Sequence, residues 1–362
     1  MTELFWSVMM KALIAMSGGV DSSVAAYFMK CRGYDCEGVT MRLFHSEDID
    51  RNQTCCSKQD IEDASEIAFA LNIPYSVLDY GEDFKNKIIE KFIRTYENGG
   101  TPNPCVDCNR HMKFGKLLGA AKERGADVIA TGHYARIEQD DRTGRYLLKK
   151  AIDESKDQSY VLYTLTQEQL AHTVFPLGAM QKSEIRKIAE EQGFVNARKH
   201  DSQDICFVPD GDYASFIEQY TGKKYPHGNF IDSQGNILGE HAGIVHYTVG
   251  QRKGLGVSSS DRLYVTKICP ADNTVTLSHG GGLYTDKLEA DDINLISVAK
   301  IEQPMRVRAK LRYRQKEQPA TVVQTDDDTL RIEFDEPQRA ATKGQAVVLY
   351  DGDTIVGGGT IR

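Results

Sequence analysis

Two stretches of this 362-residue chain carry residue types whose spacing suits chemistry rather than packing. The first is TPNPCVDCNRHMKF, residues 101–114, in which Cys105 and Cys108 precede a basic run of Arg110, His111 and Lys113. Thiols this close together serve a metal, a disulfide or sulfur transfer. Thiolates are the nucleophiles available at neutral pH, with a free pKa of about 8.5 that a cationic neighbour lowers. A zinc site wants four ligands, and no second C-x-x-C follows at finger-like spacing. Among the eight cysteines, Cys55 and Cys56 are adjacent, a poor geometry for joint chelation or for a bond between them. Cys31, Cys36 and Cys269 sit in apolar or strand-like surroundings, so these five are expected to be small buried hydrophobes.

The second stretch is SGGVDSS, Ser17 to Ser23, between an apolar run (ALIAM) and a helix-like run (SSVAAYFMK). Backbone N–H groups at a helix N-terminus hold anions, Gly18 and Gly19 permit close approach, Ser17 and Ser22 add hydroxyls, and Asp21 suits a magnesium ion. Alone, an SGG string reads more often as a Gly-Gly turn capped by Asp21 or Ser22; the complete string after a first strand reverses that preference. Neither G-x-x-x-x-G-K-[ST] nor G-x-G-x-x-G occurs, which argues against an ordinary P-loop kinase or a dinucleotide dehydrogenase.

The elements that must position these groups follow from periodicity. ALIAM, CEGVTMRLF, PYSVLDY and ADVIATGHY read as strands that alternate with helices. Ser57 and Asp60 predict a capping box, with Ile61, Ala64, Ala68 and Leu71 on one helical face, and Phe84, Ile88, Phe92 and Tyr96 predict another helix. Such alternation implies an α/β domain with a parallel sheet covered on both faces. Past Pro209 the texture changes to short alternating stretches such as RLYVTKI and NTVTLS. The expected division is a catalytic domain over 1–209, a small, mostly β linking domain over 210–282 and a C-terminal β-barrel over 283–362. The chain is 40% apolar and 27% charged with a net charge of −8, so total charge does not coat it onto nucleic acid. The opening MTELFWSVMM has an acid at Glu3 and no basic leader region, so a cytoplasmic address without a membrane partner is expected.

The phosphate loop resembles that of the ATP pyrophosphatase superfamily. TPNPCVDCNRHMKFG, ATGHYAR, KDQSYVLYTL, FPLG, DSQDICF, GEHAGIVHYTVGQRKGLG and RLYV together resemble the tRNA-specific 2-thiouridylases, from about residue 12 to the C-terminus. The resemblance implies an adenine nucleotide alpha hydrolase-like (PP-loop) fold. It also implies ATP-dependent replacement of the C2 oxygen by sulfur in the wobble uridine of the tRNAs for lysine, glutamate and glutamine. ATP and magnesium would fall to Ala15, Met16, Ser17, Gly18, Gly19, Val20, Asp21 and Ser22, with Met41 and Gly132 on the adenine side. Cys206 would carry a persulfide and Cys108 would attack it, leaving a transient Cys108–Cys206 disulfide for a reductant to reopen. The persulfide would come from a sulfur relay protein or a cysteine desulfurase. Many relatives read N-P-D-x-x-C-N, with an aspartate suited to acid–base work where this chain has Cys105. That change opens a second reading, in which Cys105, Cys108 and Cys206 ligate a 4Fe–4S cluster.

For tRNA, the resemblance implies contacts at Asn103, Pro104, Cys105 and His133, at Lys156, Asp157 and Gln158, and at Arg312, Tyr313 and Gln345. Independently, Arg306, Arg308, Lys310, Arg312, Arg314 and Lys316 occupy alternate positions, expected to share one strand face, with Val307, Ala309 and Leu311 on the other. Residues 300–316 hold seven bases and one acid, Glu302, a phosphate-attracting stripe or a charge-blunted sheet edge. The segment Gln251–Gly256 mixes donors with glycines and suits an anticodon loop, a phosphate or a plain hairpin. Two other functions remain open from sequence: an amide- or amidine-forming ATP pyrophosphatase, and a non-catalytic RNA-binding protein with a degenerate nucleotide loop.

Overall fold

A computed structural model describes residues 9–44, 57–201, 205–208 and 210–362. The chain forms two compact units, one of residues 1–84 and 108–207, the other of 85–107 and 208–362. Among the described residues no helix is long and apolar enough to cross a membrane. Cys55 and Cys56 lie outside the described residues.

In the first unit the strands in chain order are β1 (Lys11–Ala15), β2 (Asp35–Arg42), β3 (Tyr75–Asp79), β4 (Val128–Ala130), β5 (Ala135–Gln139), β6 (Tyr146–Lys150) and β7 (Thr173–Val174). A parallel sheet runs β3-β2-β1-β4-β7, while β5 and β6 form an antiparallel hairpin. Parallel neighbours need long crossovers, which helices α1 (Val20–Cys31) and α2 (Lys58–Ala70) supply. Ala12, Leu13 and Ile14 are all fully buried, the continuous apolar run expected of a strand covered on both faces. From β1 the chain crosses to β2 on one side, and β4 flanks β1 on the other, so the loop after β1 opens at a point where strand order reverses.

The predicted capping box forms: Asp60 N–H donates to Ser57 Oγ at 3.2 Å and Ser57 N–H donates to Asp60 Oδ2 at 2.9 Å. Phe84, Ile88, Phe92 and Tyr96 are all buried, on a helical run containing the π-turn Lys85–Ile89. A strict four-residue repeat drifts by about 40° per step in a 3.6-residue helix, and the wider π-turn takes up part of that drift. Cys31 departs from expectation, because it is exposed. It lies about 200° round α1 from fully buried Met29, on the solvent face. Cys36 is buried as expected, and burial pushes its thiol up to about 11.

The second unit contains β8 (Gly228–Ile231), β9 (Ile237–His241), β10 (Tyr264–Cys269) and β11 (Thr274–Ser278), in the order β10-β11-β8-β9. It also contains β12 (Tyr284–Leu295), β13 (Met305–Lys310), β14 (Gln318–Asp326), β15 (Thr329–Arg339), β16 (Ala346–Asp351) and β17 (Thr354–Ile361). These run β12-β15-β14-β13-β16-β17 and close through β12–β17 into a barrel filled by Val307, Ala309, Val322, Ile332, Leu349 and Val356. Closure removes the sheet edges.

The expected six-base stripe is cut short. β13 ends at Lys310, and the chain must turn before pairing back along β14, so Arg312, Arg314 and Lys316 leave the strand face held by Arg306, Arg308 and Lys310. Val307, Ala309 and Leu311 are buried, as the alternation predicted. Part of the stripe's charge is also matched within the barrel. Arg306 makes a two-pronged pair with Asp335 at 2.8 and 2.7 Å, and Arg308 lies 3.7 Å from Glu317.

Candidate active site

The loop after β1 is built by short hydrogen bonds of its own. Ser17 N–H donates to Ser22 Oγ at 3.1 Å, and the Ser22 and Ser23 hydroxyls donate to Gly19 O at 2.9 and 3.1 Å. Gly19 is the N-cap of α1 and offers no side-chain cap, which leaves first-turn N–H groups facing outward. Gly18 is at φ +73°, and a Cβ there would fall 2.3 Å from the Asp60 carbonyl oxygen, so both conformation and space demand glycine. Gly132, just after β4, packs so tightly that a Cβ would lie 2.8 Å from the backbone of Asp21 and Ser22.

Around this loop stands a set of charges that local spacing did not reveal. Lys182 Nζ lies 2.6 Å from Asp21 Oδ1 and 3.0 Å from Asp201 Oδ1, and the lysine side chain is only 9% exposed. The Tyr134 hydroxyl donates to the same Asp21 oxygen at 2.7 Å; burial, and then the Asp21 charge, hold its pKa well above the usual tyrosine value. Asp201 also receives Lys156 at 2.8 Å and Arg186 at 2.9 Å. Burial alone would raise the Asp201 carboxyl, but its bonds to Lys156 and Lys182 hold it down to about 2. On the other side Lys199 bridges Asp60 and Asp63, each at 2.6 Å, and donates to Gly18 O at 3.2 Å. Partial burial opposes its charge, yet the two carboxylates raise its pKa. Asn196, buried, donates to Gly18 O at 3.1 Å and Ser23 Oγ at 2.9 Å, while its Oδ1 is an orphaned acceptor among the described residues.

These residues fit a nucleotide polyphosphate. They offer uncapped helix donors, two lysines at the loop, and a carboxylate, Asp21, whose Oδ1 alone takes the Lys182 and Tyr134 bonds. Ala15 ends β1, Met16 follows it and is buried, Val20 and Asp21 open α1, and Met41 is buried on β2.

The thiols lie at the ends of ordered elements. Asn103 Oδ1 accepts from Val106 N–H at 3.4 Å, capping the turn Pro104–Cys108 with proline at its first helical position. Cys105 is exposed there and Cys108 is half-buried. Cys206 is half-buried next to Phe207, which is packed against Phe44 and Phe84 at ring distances of 6.3 and 5.9 Å. Among the described residues, no group of three or more His, Cys, Asp or Glu side chains is placed to hold a metal ion.

Several residues expected at tRNA are engaged within their own unit. His133 is buried between Phe114 and Phe175 with Nδ1 at 2.7 Å from Thr131 Oγ1; burial, then Lys113, hold its pKa well below the usual histidine value, so the ring is neutral. Asp157 accepts from Ala151 N–H at 3.0 Å, Gln158 accepts from Tyr134 N–H at 2.9 Å, and Lys156 serves Asp201. In the second unit Gln345 donates to both Thr101 O and Pro102 O at 3.0 Å, tying down the approach to Asn103. Arg312 donates to Ala340 O at 2.8 Å, and Tyr313 is 39% exposed.

Residues 10–210 match the family described as the tRNA methyl transferase HUP domain. A tRNA-specific 2-thiouridylase MnmA of Clostridioides difficile (strain 630) is 51% identical over 353 residues, covering 97% of this chain and 98% of the relative. The chain belongs to the tRNA-specific 2-thiouridylase family. Family relatives of the same name from Lachnoclostridium phytofermentans and Acetivibrio thermocellus are each 48% identical, over 98% and 97% of this chain and 99% of each relative. Within this thiouridylase-family chain, residues 214–279 match a tRNA methyl transferase PRC-barrel domain and 285–361 an aminomethyltransferase beta-barrel domain. The α/β unit with its phosphate loop and the closed C-terminal barrel are thus the family architecture. Lys182, Asn196, Lys199 and Asp201 are the site residues that sequence reasoning missed. FPLG and DSQDICF flag their neighbourhood, but the pairing to Asp21 and Gly18 spans more than 160 positions and leaves no periodic signal.

Proposed function

We propose that this chain is an ATP-dependent tRNA-uridine 2-sulfurtransferase acting in the cytoplasm on the wobble uridine of the tRNAs for lysine, glutamate and glutamine. The observation that carries the reading is the buried Lys182 set against Asp21 of the phosphate loop, within the unit that also holds Cys108 and Cys206. The C2 oxygen of uridine is a poor leaving group. Adenylation makes it a good one: the oxygen attacks the α-phosphorus of ATP and pyrophosphate departs. The loop donors of Ser17–Ser22, with Lys182 and Lys199, would take up charge on the phosphates, and Asp21 would hold magnesium, which neutralises charge on the departing group.

Sulfur then arrives as a Cys206 persulfide charged by a relay protein or a cysteine desulfurase. The terminal sulfur attacks C2, AMP leaves with the original oxygen, and the Cys108 thiolate attacks the inner sulfur of Cys206. The S–S bond of the persulfide breaks as the Cys108–Cys206 disulfide forms, and an external thiol returns the two electrons. We assign this chemistry to residues 1–209, linkage to 210–282 and RNA holding to 283–362. Asn103, Pro104, Cys105 and His133, Lys156, Asp157 and Gln158, and Arg312, Tyr313 and Gln345 would border the RNA, several by shaping its loops rather than by direct bonds.

The test is incubation with ATP, unmodified tRNA and a persulfide donor, followed by nucleoside mass analysis. A gain of about 16 Da on uridine, lost in both C108S and C206S, is expected from oxygen-to-sulfur exchange by nucleophilic catalysis. Full thiolation by both variants would contradict the roles given to the thiols.

A further inference from the structure

The thiolation chemistry makes no use of the segment Thr248–Leu263, although it lines two cavities of the second unit. Thr248, Gly250 and Gln251 border one of about 450 Å³ together with Arg312 and Gln345. Arg252, Gly254, Gly256, Ser259, Asp261 and Arg262 line the other, of about 340 Å³. We propose that this second cavity binds a backbone phosphodiester of the RNA substrate, gripped by Arg252 and Arg262 with Lys253 beside them. The proposal rests on the reading of the chain as a tRNA enzyme.

Three observations support it. First, Arg252, Lys253 and Arg262 are exposed and make no ion pair among the described residues, whereas Arg306 and Arg308 on β13 are committed to Asp335 and Glu317. One acid, Asp261, lines the cavity with Arg252 and Arg262, so the cavity keeps a positive surplus that the barrel stripe has partly lost. Second, Gly254 and Gly256 are at φ +77° and +67°, and a Cβ at Gly256 would meet nothing within 4 Å. Glycine is required there by backbone shape and not by packing. Among the described residues, the N–H groups of Lys253–Ser258 make no hydrogen bond, which leaves them as donors for an anion. Third, the loop is anchored. Gln251 accepts from Thr248 N–H at 3.0 Å and donates to Lys253 O at 3.1 Å, while Gly250 N–H donates to Val265 O at 2.7 Å at the start of β10. Guanidinium forks converging on one concavity match phosphate oxygens in pairs.

The experiment measures tRNA binding by full-length wild type, R252A/R262A and R252K/R262K across a salt series, with KM for ATP and thermal unfolding recorded for each. Both arginines are exposed, so unfolding should not shift. The alanine pair is expected to weaken tRNA binding by about ten- to hundredfold and to flatten the log Kd against log salt slope by about one to two. The lysine pair should keep most of that slope, and KM for ATP should not move. Wild-type affinity and slope in the alanine pair, while wild type still thiolates tRNA, would overturn the loop assignment and leave the function standing. A rise in KM for ATP with unchanged tRNA binding would assign the cavity to a free nucleotide and also overturn it. A wild type with neither tRNA binding nor thiolation would remove both readings.

Discussion

Lys182 Nζ and Asp21 Oδ1 lie 2.6 Å apart, a buried ammonium held against the one acid of the phosphate loop. The pair keeps a cation at the loop before any polyphosphate arrives, and it satisfies a carboxylate that would otherwise repel one.

Removing that cation should separate chemistry from folding. K182M keeps most of the stem's volume and leaves Asp21 and Asp201 without their shared partner. Pyrophosphate release in a single turnover should fall by about 10²–10³-fold, as for loss of one oriented charge-stabilising group. Stability in urea should drop by about 3 kcal/mol, the lower end for breaking a buried pair. A variant that releases pyrophosphate at the wild-type rate would show that Lys182 is structural only.

The two loop glycines should behave differently. Gly18 combines φ +73° with the Asp60 carbonyl oxygen 2.3 Å from where an alanine methyl would sit, so G18A should lose more than about 1 kcal/mol of stability together with ATP binding. At Gly19 the backbone is extended, φ −94°, and the nearest atom to an added Cβ is Ser17 Oγ at 3.6 Å. G19A should therefore unfold within about 0.5 kcal/mol of wild type while binding ATP more weakly, because its methyl intrudes on the anion's approach. Calorimetric binding and urea unfolding check both, and equal destabilisation by the two changes would contradict this account.

Asp201 gives the fold a defined acid sensitivity. Its carboxyl is held at about 2 in the folded chain, against burial, by Lys156 and Lys182. The unfolded value is about 3.9. A depressed carboxylate contributes stability that is complete above about pH 4 and is lost as pH falls toward about 2. The gap in unfolding free energy between wild type and D201N should narrow across that window, as followed by urea titration at each pH. A gap that stays constant would mean that the carboxyl is not held by its cations.

Local patterns carried the framework of the fold. ALIAMSGGVDSSVAAYF fixes a strand, an anion loop and a helix because each step is set by neighbours in sequence, and the Ser57–Asp60 box forms for the same reason. The basic alternation from Arg306 to Lys316 misled, since alternation continues through residues that must turn to reach β14 and says nothing of Asp335 or Glu317 across the barrel. Cys31 was misread because an apolar neighbourhood in sequence does not choose between the two faces of α1. Lys182, Asn196 and Lys199 were invisible for a related reason: their meaning lies in contacts with Asp21 and Gly18, which only the packed sheet creates.

The central claim is that ATP is spent on the uridine oxygen itself. It is tested most directly with tRNA carrying ¹⁸O at C2 of the wobble uridine, incubated with enzyme, ATP and sulfur donor, followed by mass analysis of the AMP released. Adenylation of that oxygen predicts one ¹⁸O in each AMP formed with thiolated tRNA. Unlabelled AMP, with thiolation proceeding normally, would contradict the account.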